Sequence, residues 1–156
     1  MGTQNIILDD YQEDDLLLGL IRTVKQIPEY EFIFQINKVN TFCFYRIEDL
    51  QYCGEYYDHY FTVYEGYDKE NKNCIKIISN KSVRNIQKKE ITELFIDEEK
   101  EKYLITKYKD IDYIIKTSDG IDDFSVILLP KFLAFEVQEY ILSSEEELYQ
   151  MIQYYE

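Results

Sequence analysis

Catalysis by histidine needs an imidazole within hydrogen-bond reach of a nucleophile or a substrate. The chain has one, His59, set among tyrosines in the strand-like run YDHYF, and it reads as a structural or surface histidine. Cys43, Cys53 and Cys74 are the only thiols; they form no CxxC pair, and no spacing brings one of them to His59. An odd number of thiols in apolar runs such as TFCFYRI and NCIKIIS predicts buried, reduced cysteines. The aspartate clusters at 9–15 and 119–123 have the composition of a Ca²⁺ site but lack its alternation, its sixth-position glycine and its closing glutamate, so they read as solvated loops. With one histidine and scattered thiols, no zinc arrangement is expected. Gly2, Gly19, Gly54, Gly66 and Gly120 are isolated, which excludes the glycine-rich loops that cradle phosphates. No catalytic residue, metal or cofactor is therefore expected. One asymmetry remains. Residues 68–109 carry a net charge of +3 against −17 for the rest, and Lys81, Arg84, Lys88 and Lys89 follow one another with no acid between them. They are the candidate contact for a small anion or a protein, against the alternative of a solvated connector.

The charge of the whole chain limits its partners. With 17 basic and 31 acidic residues in 156, the formal net charge is −14. Nucleic-acid affinity depends on cationic side chains displacing condensed counterions, so no nucleic-acid partner is expected. The acidic residues Asp9, Asp10, Glu13, Asp14 and Asp15 precede the apolar run 16–21, the reverse of a signal peptide, and that run is too short to span a bilayer. Ile6 stands where N-myristoylation requires Ser or Thr. The expected location is the cytoplasm, without a membrane.

The elements that would position any site can be read from the same chain. A hydrophobic content of 46% and an aromatic content of 16% allow a real core, and the length suits one domain. We divide the chain into an acidic arm at 1–14 and a single α+β domain at 15–156. Segment 16–22 is apolar but undecided in type. Segment 28–38 is evenly balanced: Pro28, Glu29 and Glu31 suit a helix start, whereas Tyr30, Phe32, Phe34 and Ile36 alternate as in a strand. Strands are predicted at 41–47, 111–116 and 133–142, with a short segment at 123–129 ending before Pro130. The runs 57–67 and 74–79 flank DKENKN as a hairpin, and 80–89 reads as a polar connector. A helix is predicted at 92–105. A second is predicted in the tail, where Ser143 or Ser144 and Glu146 or Glu147 form a capping-box pattern and Leu148, Met151, Ile152 and Tyr155 share a face. The architecture expected is a largely antiparallel sheet packed against a few helices, with a helix at the C-terminus.

Across positions 15–116 the succession LLLGLIR, EYEFIFQIN, RIEDL, FTVYEGY, CIKIISNK and DIDYIIK resembles the uncharacterised bacterial IPExxxDY family of small proteins. Asp112-Tyr113 matches the closing pair of the naming motif, with ITKYKDI before it, and Ile27-Pro28-Glu29 stands separately. The resemblance implies no activity for any residue.

The expectation that results is a non-enzymatic cytoplasmic protein that binds another protein, with a basic surface as the natural partner, through an acidic face carrying tyrosines. The alternatives are an acidic inhibitor, such as an immunity protein or nucleic-acid mimic, and an enzyme working through carboxylates and tyrosine. The sequence does not specify an oligomeric state.

Overall fold

The computed structural model describes residues 15–92, 98–118, 123–153 and 155, so the arm at 1–14 lies outside it. The fold is α+β, and the described residues form nine mostly antiparallel strands in two sheets, two helices and one 3₁₀ turn. In chain order these are β1 (Leu16–Ile21), α1 (Glu29–Val39), β2 (Tyr45–Arg46), β3 (Leu50–Cys53), β4 (Tyr57–Phe61), β5 (Val63–Asp68), β6 (Asn73–Ser79) and β7 (Arg84–Gln87). They are followed by β8 (Tyr113–Lys116), the 3₁₀ turn Phe124–Val126, β9 (Gln138–Leu142) and α2 (Glu147–Gln153). The larger sheet runs β2-β5-β6-β8-β1-β9 and the smaller β3-β4-β7.

The apolar runs LLLGLI, CIKIIS and YIIK occupy the middle of the larger sheet because that sheet is covered on both faces. Alternate residues of each strand enter different cores. Ile21, Ile75, Ile77, Tyr113 and Ile115 pack under Phe32, Ile33 and Ile36 of α1, with Phe124, Ile127 and Leu133 beside them. Leu18, Leu20, Ile78 and Ile114 pack against Leu50 and Phe61 of the smaller sheet and Ile152 of α2. Burying one aliphatic side chain contributes roughly 1.5–3 kcal/mol, so both faces matter to stability. Gly19 sits where α1's face of the sheet is most crowded: a Cβ there would lie 2.8 Å from Val137 Cγ1 and 3.0 Å from Phe124 Cδ1.

Segment 28–38 is a helix. Pro28 is extended, and its carbonyl accepts from the N–H groups of Glu31 and Phe32, while Glu29 and Glu31 place negative charge at the positive helix end. The alternation of aromatics is resolved by exposure, since Phe32 is buried while Tyr30 and Phe34 face solvent. Segment 16–21 is a strand. The predicted run 57–67 breaks at Thr62, so that β4 belongs to the smaller sheet and β5 to the larger; only β5 forms the hairpin with β6. The connector 80–89 contains β7, which pairs with β4. Only Tyr45–Arg46 of 41–47 and Gln138–Leu142 of 133–142 are strands, and the segment at 123–129 holds the 3₁₀ turn.

The helix predicted at 92–105 is a correction: residues 98–105 are not helical, and 93–97 lie outside the described residues. Tertiary hydrogen bonds hold this stretch instead. The N–H of Leu104 donates to the Asn80 carbonyl (2.8 Å), that of Ile105 to Asn80 Oδ1 (2.8 Å) and that of Lys102 to Ser82 Oγ (3.0 Å). Asn80 is fully buried, and its Nδ2 donates to the carbonyls of Tyr108 and Ile111, so this one amide anchors both ends of the loop. The tail helix follows the expected pattern. The Ser143 N–H donates to Glu146 Oε2 (3.1 Å), Ser143 Oγ accepts from the Glu145 N–H (3.3 Å), and Leu148, Met151, Ile152 and Tyr155 join the second core.

Candidate functional site

The buried-thiol expectation is overturned. Cys43 and Cys53 are exposed and only Cys74 is partly buried, because the strand around Cys43 is shorter than its sequence suggests and Cys53 ends an outer strand of the smaller sheet. His59 is a buried, structural histidine. Its Nδ1 lies 2.6 Å from Asn85 Oδ1, to which it donates, and the Ser82 hydroxyl donates to the same oxygen at 2.6 Å, so the ring ties β4 to β7. Tyr52 and Tyr57 flank it, with ring centroids 6.2 and 6.1 Å away. No group of three His, Cys, Asp or Glu among the described residues could hold a metal ion. No described helix is long and apolar enough to cross a membrane.

The four basic candidates are spread over and around β7. Lys81 pairs with Glu101 at 3.0 Å, Lys88 with Asp58 at 3.4 Å and Lys89 with Glu55 at 3.1 Å. Arg84 differs. Its guanidinium lies over the Tyr60 ring, 3.9 Å from the centroid, and it forms no ion pair among the described residues. The chain has three arginines. The other two, Arg22 and Arg46, pair with Asp110 at 2.5 Å and Asp49 at 2.9 Å.

Arg84 and Arg46 face the same cleft, about 500 Å³, at the corner where β4 passes into β5. Glu29, Asp49, Thr62 and Val83 complete it. Arg46 pairs across the sheet with Tyr64, whose hydroxyl donates to Glu29 Oε1 at 3.0 Å. Burial and the Glu29 carboxylate push the Tyr64 phenol up to about 12, so it stays protonated as a donor at neutral pH. The Asp49 carboxylate and the nearby Tyr64 and Glu29 favour the charged Arg46 guanidinium. Sequence reasoning singled out Arg84 but not Arg46, Glu29 or Thr62, since the four come from β7, β2, α1 and the junction of β4 with β5, and no spacing joins them.

A second concavity, about 690 Å³, lies between the 3₁₀ turn and the chain leading into β9. Phe124, Ile127, Leu129, Ala134, Phe135 and Val137 give it apolar walls. Asp123, Glu136 and Glu139 stand at its rim with one cation, Lys131. The Ser125 hydroxyl and N–H donate to Asp123 Oδ1 at 2.6 and 2.9 Å and hold that carboxyl below the usual carboxylate range, so it carries full charge at neutral pH. Leu128 and Phe132 are 56% and 67% exposed and flank these walls in sequence. The signal for this groove was present in DFSVILLPKFLAF, which holds more large apolar residues than one covered face can take.

No family model, no curated protein and no solved structure matches this chain.

Proposed function

We propose that the protein works by binding another protein rather than by catalysis, and that its partner presents a basic, apolar segment to the groove between the 3₁₀ turn and β9. The observation that carries this reading is the composition of that groove: six apolar wall residues beneath a rim of three carboxylates and one lysine. Exposed apolar concavities rimmed by charge are common at protein contacts, and the acid excess selects for cations on the partner. The net charge of −14 extends the same preference to long range and speeds the encounter with a basic surface. The binding surface is thus apolar and aromatic at the groove, with carboxylates around it, rather than chiefly tyrosine. Three free cysteines, two of them exposed, support a reducing compartment and hence the cytoplasm.

The test is photo-crosslinking in cells with benzoylphenylalanine in place of Phe132, and with Tyr67, far along the sheet in β5, as the control position. The expected result is one protein adduct specific to position 132. The purified adduct partner should be basic, should bind the unmodified chain more slowly as salt rises, and should lose affinity on Phe135→Ser. Adducts equal at both positions, or only with a second copy of the chain, would overturn the reading.

A further inference from the structure

We propose that the outer edge of β9 takes up a short extended segment of a partner protein as an added strand, with a lysine or arginine opposite Glu139 and apolar residues two positions to either side of it. The inference rests on the groove reading above and states how the partner's basic, apolar segment is held there.

Among the described residues β9 ends the larger sheet, pairing with β1 on one side only. The other sheet ends are shorter. β2, at the far end of the same sheet, has two residues, and β3 and β7, at the ends of the smaller sheet, have four each. β9 has five, with no lysine or proline among them, and Ile141 is 68% exposed. Lysine, proline and brevity are the usual guards of a sheet edge, so β9 is the edge best suited to accept a strand.

Main-chain groups turn to alternate sides along a strand. The Arg22 carbonyl accepts from the Phe135 N–H, whereas the Ile21 carbonyl accepts from the Asp112 N–H on the β8 side. Even-numbered residues of β1 thus bond toward β9 and odd-numbered ones toward β8. With Leu16 opposite Leu142, Leu18 opposite Tyr140 and Leu20 opposite Gln138, the even-numbered residues of β9 are the ones engaged. The N–H and carbonyl groups of Glu139 and Ile141 therefore point away from β1, where a further strand would bond them.

Side chains alternate in the same way. Tyr140 and Leu142 turn to the second core, while Val137 packs on the first and Glu139 lines the groove, so Val137, Glu139 and Ile141 share the groove's face of the sheet. An added strand lays its own alternate side chains beside these three, and neighbours of opposite charge or shared apolarity are favoured. The matching pattern is a basic residue with an apolar residue two positions before it and another two after, which reads the same in either strand direction. Residues 132–156 have six glutamates and no lysine or arginine, so the charge along this edge selects a cationic segment. A second copy of β9 would bring the same glutamates in a chain of net charge −14, so the occupant is a different protein.

The experiment is amide hydrogen exchange of the full chain, followed by NMR, with capped nine-residue peptides as probes. Each peptide carries Lys, Gln or Glu at its centre and valine two positions to either side. The Lys-centred peptide should slow exchange of the Glu139 and Ile141 N–H groups by about tenfold or more, with little change at Gln138, Tyr140 and Leu142, which are already bonded. The Glu-centred peptide should bind more weakly, and Glu139→Lys should reverse that order. Two further Lys-centred peptides, each N-methylated at one alternate set of residues, should differ by about tenfold, because only one set of N–H groups faces β9. No binding by any peptide at millimolar concentration, or equal loss on both N-methylations, would overturn the proposal. Binding that shifts the Phe135 and Val137 signals while the Glu139 and Ile141 amides exchange freely would overturn the added strand and leave the groove reading standing. Slowed amides with an affinity unchanged by Phe135→Ser would uphold the strand and remove the groove from it. Protection of these two amides that rises with chain concentration, without peptide, would show a second copy on the edge and overturn the proposal.

Discussion

Phe32 of α1 and Tyr113 of β8 stack face to face, their ring centroids 4.4 Å apart and their planes 9° from parallel. Phe32 is fully buried and Tyr113 nearly so, and the pair joins the helix to the middle of the larger sheet beside Ile33 and Ile36. Phe32→Ala should lower the unfolding free energy by about 3–5 kcal/mol, as expected for deleting a buried aromatic. Denaturant titration checks it, with a lower midpoint and an unchanged slope as the expected result.

The tail helix gives a parallel test on the opposite face. Ile152 is 1% exposed and reaches the second core with Leu148 and Met151. Ile152→Ala should cost about 2–5 kcal/mol. Gln150→Ala, on the exposed side of α2, should change the melting temperature little. Equal effects from the two substitutions would mean that α2 is not docked by this face.

Alkaline pH should destabilise the protein through two phenols. Burial raises Tyr113 above the ordinary tyrosine value near 10, with Glu29 adding to it, and burial followed by Glu29 pushes Tyr64 up to about 12. The unfolded chain releases these protons near pH 10 while the folded chain retains them. The unfolded state then binds fewer protons, and stability falls as pH rises. For Tyr64 the loss begins at about pH 10 and continues through about pH 12. Below pH 10 this contribution is fully present. Stability measured by denaturant across that window should fall less steeply in Tyr64→Phe than in the parent, even if the variant starts lower for want of the bond to Glu29.

Thiol reactivity should divide the cysteines two to one. Cys43 and Cys53 are exposed. Cys74 is partly buried, and burial and then the Glu65 carboxylate, which accepts from Sγ at 3.2 Å, raise its pKa. A thiol reagent acts on the thiolate, so two equivalents should react rapidly with the native protein and the third slowly. Urea should bring the third to the rate of the others.

The sequence showed β6 and β8 through their runs of isoleucine, which fill strands covered on both faces, whereas it left the apolar run of β1 undecided between strand and helix. It also showed the tail helix through its cap. It did not show β7, whose RNIQ is polar because the strand lies at the edge of a small sheet with its side chains largely in solvent. Nor did it show that Asn80 and Ser82 would claim the N–H groups of the 102–105 segment, since propensity for a helix there yields to partners distant in sequence. Of the candidate sites, Arg84 stood out as part of a basic run. Thr62 had no signal, because its place at the junction of β4 with β5 is a property of the fold and not of its residue type.

The position of β1 has a consequence for the order of folding. This strand lies between β8 and β9, pairing Gly19 with Ile115 and Leu16 with Leu142. Both neighbours are made long after it. During synthesis the segment LLLGLI must therefore wait, without a partner on either side, until most of the chain has emerged. The hairpin of β5 and β6 needs only local closure and can form much earlier. Assembly of the larger sheet is thus divided into an early half built around that hairpin and a late half in which β1 is captured by two distant strands. That late step sets the interval over which an apolar strand is open to chaperones or to pairing with other chains.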